Sequence, residues 1–229
     1  MQLPRLSIND GTIETLKWID LTLMVLDHIN KYLYADHWHY CFNAGRIVMP
    51  LFVFVLAYNL ARPETMARGV YIRTMKRLAL FSAIATPAFV GLGGLLAGWW
   101  PLNILFALLV MTAIMYLLEL KTIGGNIMAG AVFVAGGSSV EFWWPALIFG
   151  LATWQYAKKP RISQIIIALI ALASMWIING NYWALAFVPI AVIVSLVSIP
   201  MPRFQWVFFG YYPFHLTAIW ATNQLAAYI

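Results

Sequence analysis

The chain reads as long apolar runs separated by short polar joints. Several runs approach the roughly 20 residues that a helix needs to cross the hydrocarbon core of a bilayer. The alternating apolar and polar positions of a membrane β-barrel are not seen. The pattern predicts about nine helical spans, at 13–34, 42–61, 78–97, 102–120, 126–140, 141–157, 162–178, 182–199 and 204–228. The fifth is short and glycine-rich, with Gly124, Gly125, Gly130, Gly136 and Gly137 in or beside it. Small residues let helices approach closely and equally suit a re-entrant or broken helix. The expectation is an all-α, polytopic transmembrane helical bundle, with residues 1–229 forming a single integral-membrane domain.

Composition narrows the class. Of 229 residues, 63% are hydrophobic and 10% charged, with a mean hydropathy of +0.81. Soluble domains run about 45–50% apolar and about 25% charged. A soluble globular enzyme and a disordered chain are therefore excluded. Cys41 is the only cysteine, so a disulfide scaffold is excluded too. About nine spans leave no room for a separate soluble domain, and any chemistry must sit among the helices or in their joints.

The net charge of +6 follows the joints, so it signals membrane topology and no nucleic-acid partner is expected. Arg5 and Lys17 lie near the start. Arg62, Arg68, Arg73, Lys76 and Arg77 fill one joint, and Lys121, Lys158, Lys159, Arg161 and Arg203 mark three others. The opposite joints carry no Lys or Arg but hold Trp99, Trp100, Trp143, Trp144 and Trp183, an aromatic belt. The positive-inside rule places the N-terminus in the cytoplasm and the C-terminus outside. The opening MQLPRLSIND has no apolar stretch before a small-residue cleavage site, so no cleaved signal peptide is expected.

The first span breaks the apolar rule. TLKWIDLTLMVLDHINKYLY contains Lys17, Asp20, Asp27, His28, Asn30 and Lys31. Each ionisable group at membrane depth costs about 2.5–3.5 kcal/mol on insertion scales and persists when it faces a bundle interior or a watery cavity. Asp27 and Lys31 are spaced to pair along one helix face. Lys17 and His28 are eleven residues apart, almost three whole turns and about 16 Å along the axis. Two readings fit. One is a reaction centre with His28 as general base and Asp27 as its electrostatic or orienting partner. The other is a buried ion network that only fixes packing. Neighbours on a helix point about 100° apart, so Asp27 has Lys31 or Arg46 as alternative partners.

The second span adds Arg46, Pro50 and Asn59. In an antiparallel pair Arg46 reaches the depth of Asp27 and His28, to steady a carboxylate or an oxyanion, or it snorkels to the interface. His215 lies near Tyr211 and Tyr212 in the last span, as a second acid or base or as a packing residue. Asn103 opens the fourth span, where helix capping also explains it. Glu119 and Glu141 sit at span ends and read as interfacial. His37, His39 and Cys41 alternate but lack a convincing fourth ligand, so no metal site is expected.

LMVLDHINKYLY, GR-x3-PLF-x4-AYNLAR, NILFA (Asn103 to Ala107) and FGYYPFHL (Phe209 to Leu216) together resemble the TraX family, the F-pilin N-acetylases of conjugative transfer systems. The resemblance covers nearly the whole chain, most specifically in the first two spans. Lys17-x10-His28 is also similar to the basic-x10-His signature of the acyltransferase-three membrane acyltransferases.

The resemblance implies a multi-pass acetyltransferase of the bacterial inner membrane. It would move acetyl groups from cytosolic acetyl-CoA, with no permanently bound cofactor, to an acceptor at the membrane such as the N-terminal amine of pilin. His28 then matches the catalytic histidine and Lys17 its basic partner. Asp27, Arg46, Asn59, Asn103 and His215 match polar positions of the pattern, and Lys31 and Tyr211 are candidates for the acceptor side. Arg62, Arg73 and Arg77 would meet the phosphates of acetyl-CoA, or serve only as a topology signal and anionic-lipid contact. Related enzymes acylate sugar hydroxyls, so the acceptor stays open. A proton-coupled transporter and a non-catalytic pilus or secretion assembly protein are the competing readings.

Overall fold

The computed structural model describes residues 5–197, 201–202 and 204–226. Its helices are α1 (Asp10–Leu33), α2 (His39–Gly45), α3 (Val48–Ala61), α4 (Val70–Gly91), α5 (Ile104–Glu119), α6 (Ile123–Ser139), α7 (Trp143–Lys158), α8 (Ile162–Ser174), α9 (Trp176–Asn179), α10 (Phe187–Ser195) and α11 (Gln205–Ala226). A 3-10 turn, Trp183–Ala186, leads into α10. No strand forms among the described residues. The architecture is all-α, and each of the nine apolar runs holds helix. Arg203 and the ends of the last two runs lie outside the described residues.

Local chemistry sets the helix ends. Asn9 caps α1 by accepting from the Gly11 amide at 2.8 Å, and Thr122 caps α6 through the Gly125 amide at 3.0 Å. Each satisfies an amide that the first turn leaves unpaired. Helix α4 starts earlier than the apolar pattern predicts. That helix begins at Val70, so Arg73, Lys76 and Arg77 stand on its first two turns and the joint shrinks to residues 62–69. Buried Tyr71 and Leu78 give this stretch a helical inward face. The second run divides into α2 and α3 around Arg46, and the seventh into α8 and α9. The fifth is one unbroken helix, with Gly136 against Val110 and Gly137 against Trp144.

Helix α1 packs against α2, α3 and α11, while α4 joins α11 to α5, and α7 joins α3, α6 and α8. Leu16, Leu51, Val53, Ala57, Met111, Met115 and Leu147 form the fully buried centre. The outward faces are also apolar, with Leu80, Ile127, Ile170, Ile193 and Phe214 exposed. Two helical stretches, His39–Ala61 and Ile162–Asn179, are long and apolar enough to cross a membrane. Helices α5 and α6 and the stretch Trp183–Ser195 are apolar but shorter.

Candidate functional site

Helix α1 supplies His28 and α11 supplies His215. Nδ1 of His28 lies 2.7 Å from Nε2 of His215, and Nδ1 of His215 lies 2.9 Å from the Tyr211 carbonyl oxygen. A carbonyl only accepts, so Nδ1–H of His215 donates to it. In a neutral His215 ring, Nε2 is then the acceptor, and Nδ1–H of His28 donates to it. Nε2 of His28 is left with its lone pair, on a half-buried residue that lines a cavity of about 80 Å³. The chain of contacts from the Tyr211 carbonyl through His215 orients the His28 ring and leaves its Nε2 able to accept a proton. The two rings are near-parallel at 5.0 Å between centroids, and Tyr212 stands edge-on to both, at 6.4 and 5.6 Å.

Asp27 turns to a different partner. Nη2 of Arg46 donates to both Asp27 oxygens at 3.0 Å. Nε of Arg46 donates to the Phe42 carbonyl at 3.1 Å, and its guanidinium lies 4.3 Å from the Phe42 ring centre. Gly45 makes the approach possible, because a methyl group there would collide with the Asp27 carboxyl group. Of the two partners open to Asp27 in the sequence, Arg46 takes the place and Lys31 stands 5.0 Å over the Tyr32 ring. Arg46 is thus a cation held by a carboxylate, and no longer a free one. Asp27, Lys31 and Arg46 all line the His28 cavity.

Glu141 lines it too. Its place at the end of an apolar run suggests an ordinary interfacial glutamate. Here it sits in the connection between α6 and α7, outside both helices. Its amide donates to the Leu102 carbonyl at 2.9 Å, and its carboxylate accepts from the Ile104 amide at the start of α5. Burial pushes its pKa up to about 7, with Lys31, the Ile104 amide and Arg46 pulling in the opposite direction. The next two residues, Phe142 and Trp143, have φ of 62° and 47°. Side chains larger than glycine disfavour that region by about 1–3 kcal/mol each, a strain that clusters at functional sites.

A second cavity, of about 470 Å³, lies towards the other end of α1. Lys17, Asn59, Arg62, Arg68, Arg73 and Arg77 line it. Lys17 pairs with Glu14 at 2.5 Å, Arg62 with Asp10 at 2.5 Å, and Arg68 with Glu64 at 2.5 Å. Arg77 lies 4.5 Å from the Trp206 ring centre. Oδ1 of Asn59 is buried without a hydrogen-bond partner. Such a concentration of guanidinium groups suits phosphate. The two cavities draw on the same five helices, α1, α3, α4, α5 and α11, with Met49 and Phe52, Ile104 and Leu105, and Tyr212 and Phe209 lining one and the other.

The structure therefore divides the sequence candidates into two groups. His28, Asp27, Arg46 and Lys31 surround one cavity, with His215 behind His28 and the Tyr211 carbonyl behind His215. Lys17, Arg62, Arg73 and Arg77 surround the other, and Asn59 belongs with them and not with His28. Asn103 joins neither. It caps α5 by accepting from the Leu105 amide at 3.1 Å and donates to the Ser82 carbonyl at 3.2 Å. Glu119 is no simple interfacial residue, since it pairs with Lys158 and accepts from the Tyr71 hydroxyl at 3.4 Å. Among the described residues no group of three His, Cys, Asp or Glu side chains is placed to hold a metal ion.

Residues 12–223 match the family described as TraX protein. The chain is 34% identical over 112 residues to Protein TraX of Escherichia coli (strain K12), over 49% of this chain and 42% of that relative. The match thus spans less than half of the relative's length. No solved structure matches. A family match that runs from the first turn of α1 almost to the end of α11 takes in both cavities, and the chain belongs to the TraX family.

Proposed function

We propose that this protein is a multi-pass inner-membrane acetyltransferase that moves an acetyl group from acetyl-CoA to the N-terminal amine of conjugative pilin. The observation that carries the reading is a basic cavity and a histidine-lined cavity built on the same five helices. Apolar outward faces support a lipid surrounding, since water-exposed surfaces of that composition mark contact with membranes or partners. The acceptor comes from the TraX resemblance alone.

In this reading Arg62, Arg73 and Arg77 hold the phosphates of acetyl-CoA, with Lys17 beside them. A cavity of about 470 Å³ lies within the range of about 300–1,000 Å³ common for small-molecule sites. Lys17 and His28 lie eleven residues apart on one helix, about 16 Å, a distance a pantetheine arm can bridge. Nε2 of His28 takes the proton of the attacking amine as the C–N bond forms. Lys31 and the Asp27-held Arg46 face the negative charge of the tetrahedral oxygen. The C–S bond then breaks and His28 returns its proton to the departing thiolate.

Intact-mass measurement of pilin from cells with and without the protein tests the reading. One acetyl group per pilin chain is expected only when the protein is present. Identical masses overturn pilin as the acceptor, and failure of the purified protein to bind acetyl-CoA overturns the reaction.

A further inference from the structure

We propose that Glu141 is a further catalytic residue, which binds the acceptor as its ammonium and takes its first proton. The proposal rests on the acetyl-transfer reading above. Glu141 shares a cavity of about 80 Å³ with His28, so a small group that reaches one is beside the other. The chain fixes it there by a bridge to Leu102 and by two strained residues after it. A glutamate that merely marked an interface would need neither. Around it stand Asp27, His28, Lys31 and Tyr32 of α1, Arg46 beside α2, Tyr212 of α11 and the Ile104 amide of α5. Arg46 is already engaged by Asp27, and Lys31, which attracts Glu141 from one side, is exposed to solvent. Glu141 is therefore the carboxylate left to meet an incoming cation.

The chemistry needs such a group. An α-amine has a pKa of about 7.7–8.0, so much of it arrives as R–NH3+ and lacks the lone pair that must attack. One proton has to leave before the C–N bond forms and a second as it forms. Glu141 takes the first, turning R–NH3+ into R–NH2, and its burial-raised pKa of about 7 brings it close to its partner, which makes the transfer nearly balanced. The nitrogen then attacks the thioester carbon, His28 takes the second proton, the C–S bond breaks, and the thiolate receives that proton from His28. Glu141 releases the first proton to solvent on the exposed Lys31 side. One N-acetyl amine, one thiol and one proton leave. A hydroxyl acceptor has no first proton to lose, so Glu141 also favours amines over alcohols.

The test uses the full-length protein in detergent micelles, acetyl-CoA as donor and a short peptide with a free N-terminal amine as acceptor. Acetyl-CoA affinity is measured alongside as a report on folding and on the basic cavity. Glu141→Gln should bind acetyl-CoA as the wild type does and lose about tenfold in kcat/KM near pH 7, where only about a tenth of an amine with a pKa of about 7.7–8.0 is already neutral. The loss should shrink towards about pH 9, where the amine is already neutral, and Glu141→Asp should recover part of the activity. A loss equal at every pH, loss of acetyl-CoA binding, or no loss at all overturns the role of Glu141 and leaves the acetyl-transfer reading in place. No transfer by the wild type to peptide or pilin overturns both.

Discussion

His28 and His215 are 187 residues apart in sequence, and their ring nitrogens are 2.7 Å apart in the fold. The Tyr211 carbonyl behind His215 decides which nitrogen of each ring carries hydrogen, so the tautomer of His28 on α1 is set by a backbone oxygen of α11. Replacing His28 by Ala should abolish acetyl transfer while leaving acetyl-CoA binding intact. Replacing His215 by Phe should lower kcat by about ten- to a hundredfold, the smaller loss that suits a residue orienting the base. A His28→Ala protein with full transfer activity would falsify the assignment.

Asp27 and Arg46 form a partly buried ion pair. Removing one partner of a buried pair costs about 3–5 kcal/mol, and partial exposure moves this one towards the lower end. Asp27→Asn and Arg46→Met should each lower the unfolding midpoint in detergent, and the double variant should recover part of the loss. Additive effects of the two changes would show that the pair does not couple. Gly45→Ala should mimic Asp27→Asn, because the added methyl meets the same carboxyl group.

In the basic cavity, Arg73→Gln and Arg77→Gln should each weaken acetyl-CoA binding about tenfold, the loss of one charge-assisted contact. The affinity of the wild type should fall with salt, and the variants should show a shallower dependence. Titration calorimetry across ionic strengths measures both. Unchanged affinity in both variants would reduce these residues to topology and lipid contact.

Glu141 also predicts a pH dependence of stability. Its folded-state pKa of about 7 lies above the ordinary carboxyl value of 4.5, so the folded protein holds this proton more tightly than the unfolded chain. That contribution is fully present below about pH 4.5 and is lost as pH rises through about 7. The unfolding midpoint of the wild type should therefore fall across this window relative to Glu141→Gln, which cannot ionise. Parallel curves for the two proteins would contradict the shifted titration.

Much of the fold was legible because apolar run length alone marks helices, and each of the nine runs holds one. His28 and Asp27 stood out because ionisable groups in an apolar run need a reason. The partnership of His28 with His215 was not legible, since no spacing rule reaches across 187 residues. Glu141 was hidden for the opposite reason, as nothing local separates it from an ordinary interfacial glutamate. Arg73 and Arg77 stand on a helix although their charge makes the stretch look like a loop, because Tyr71 and Leu78 give it a buried face. Asn103 went the other way: its capping geometry was visible in the sequence beside its family likeness, and capping is what it does.

Helix α1 carries Lys17 and His28 on one continuous rod. Each residue adds about 1.5 Å and 100°, so a single insertion between them would lengthen the rod only slightly yet swing His28 away from His215. A deletion would do the same in the other direction. The spacing is therefore a phase as much as a length. Exchanging side chains along this stretch keeps that phase, whereas changing their number turns Lys17 and His28 out of register with each other.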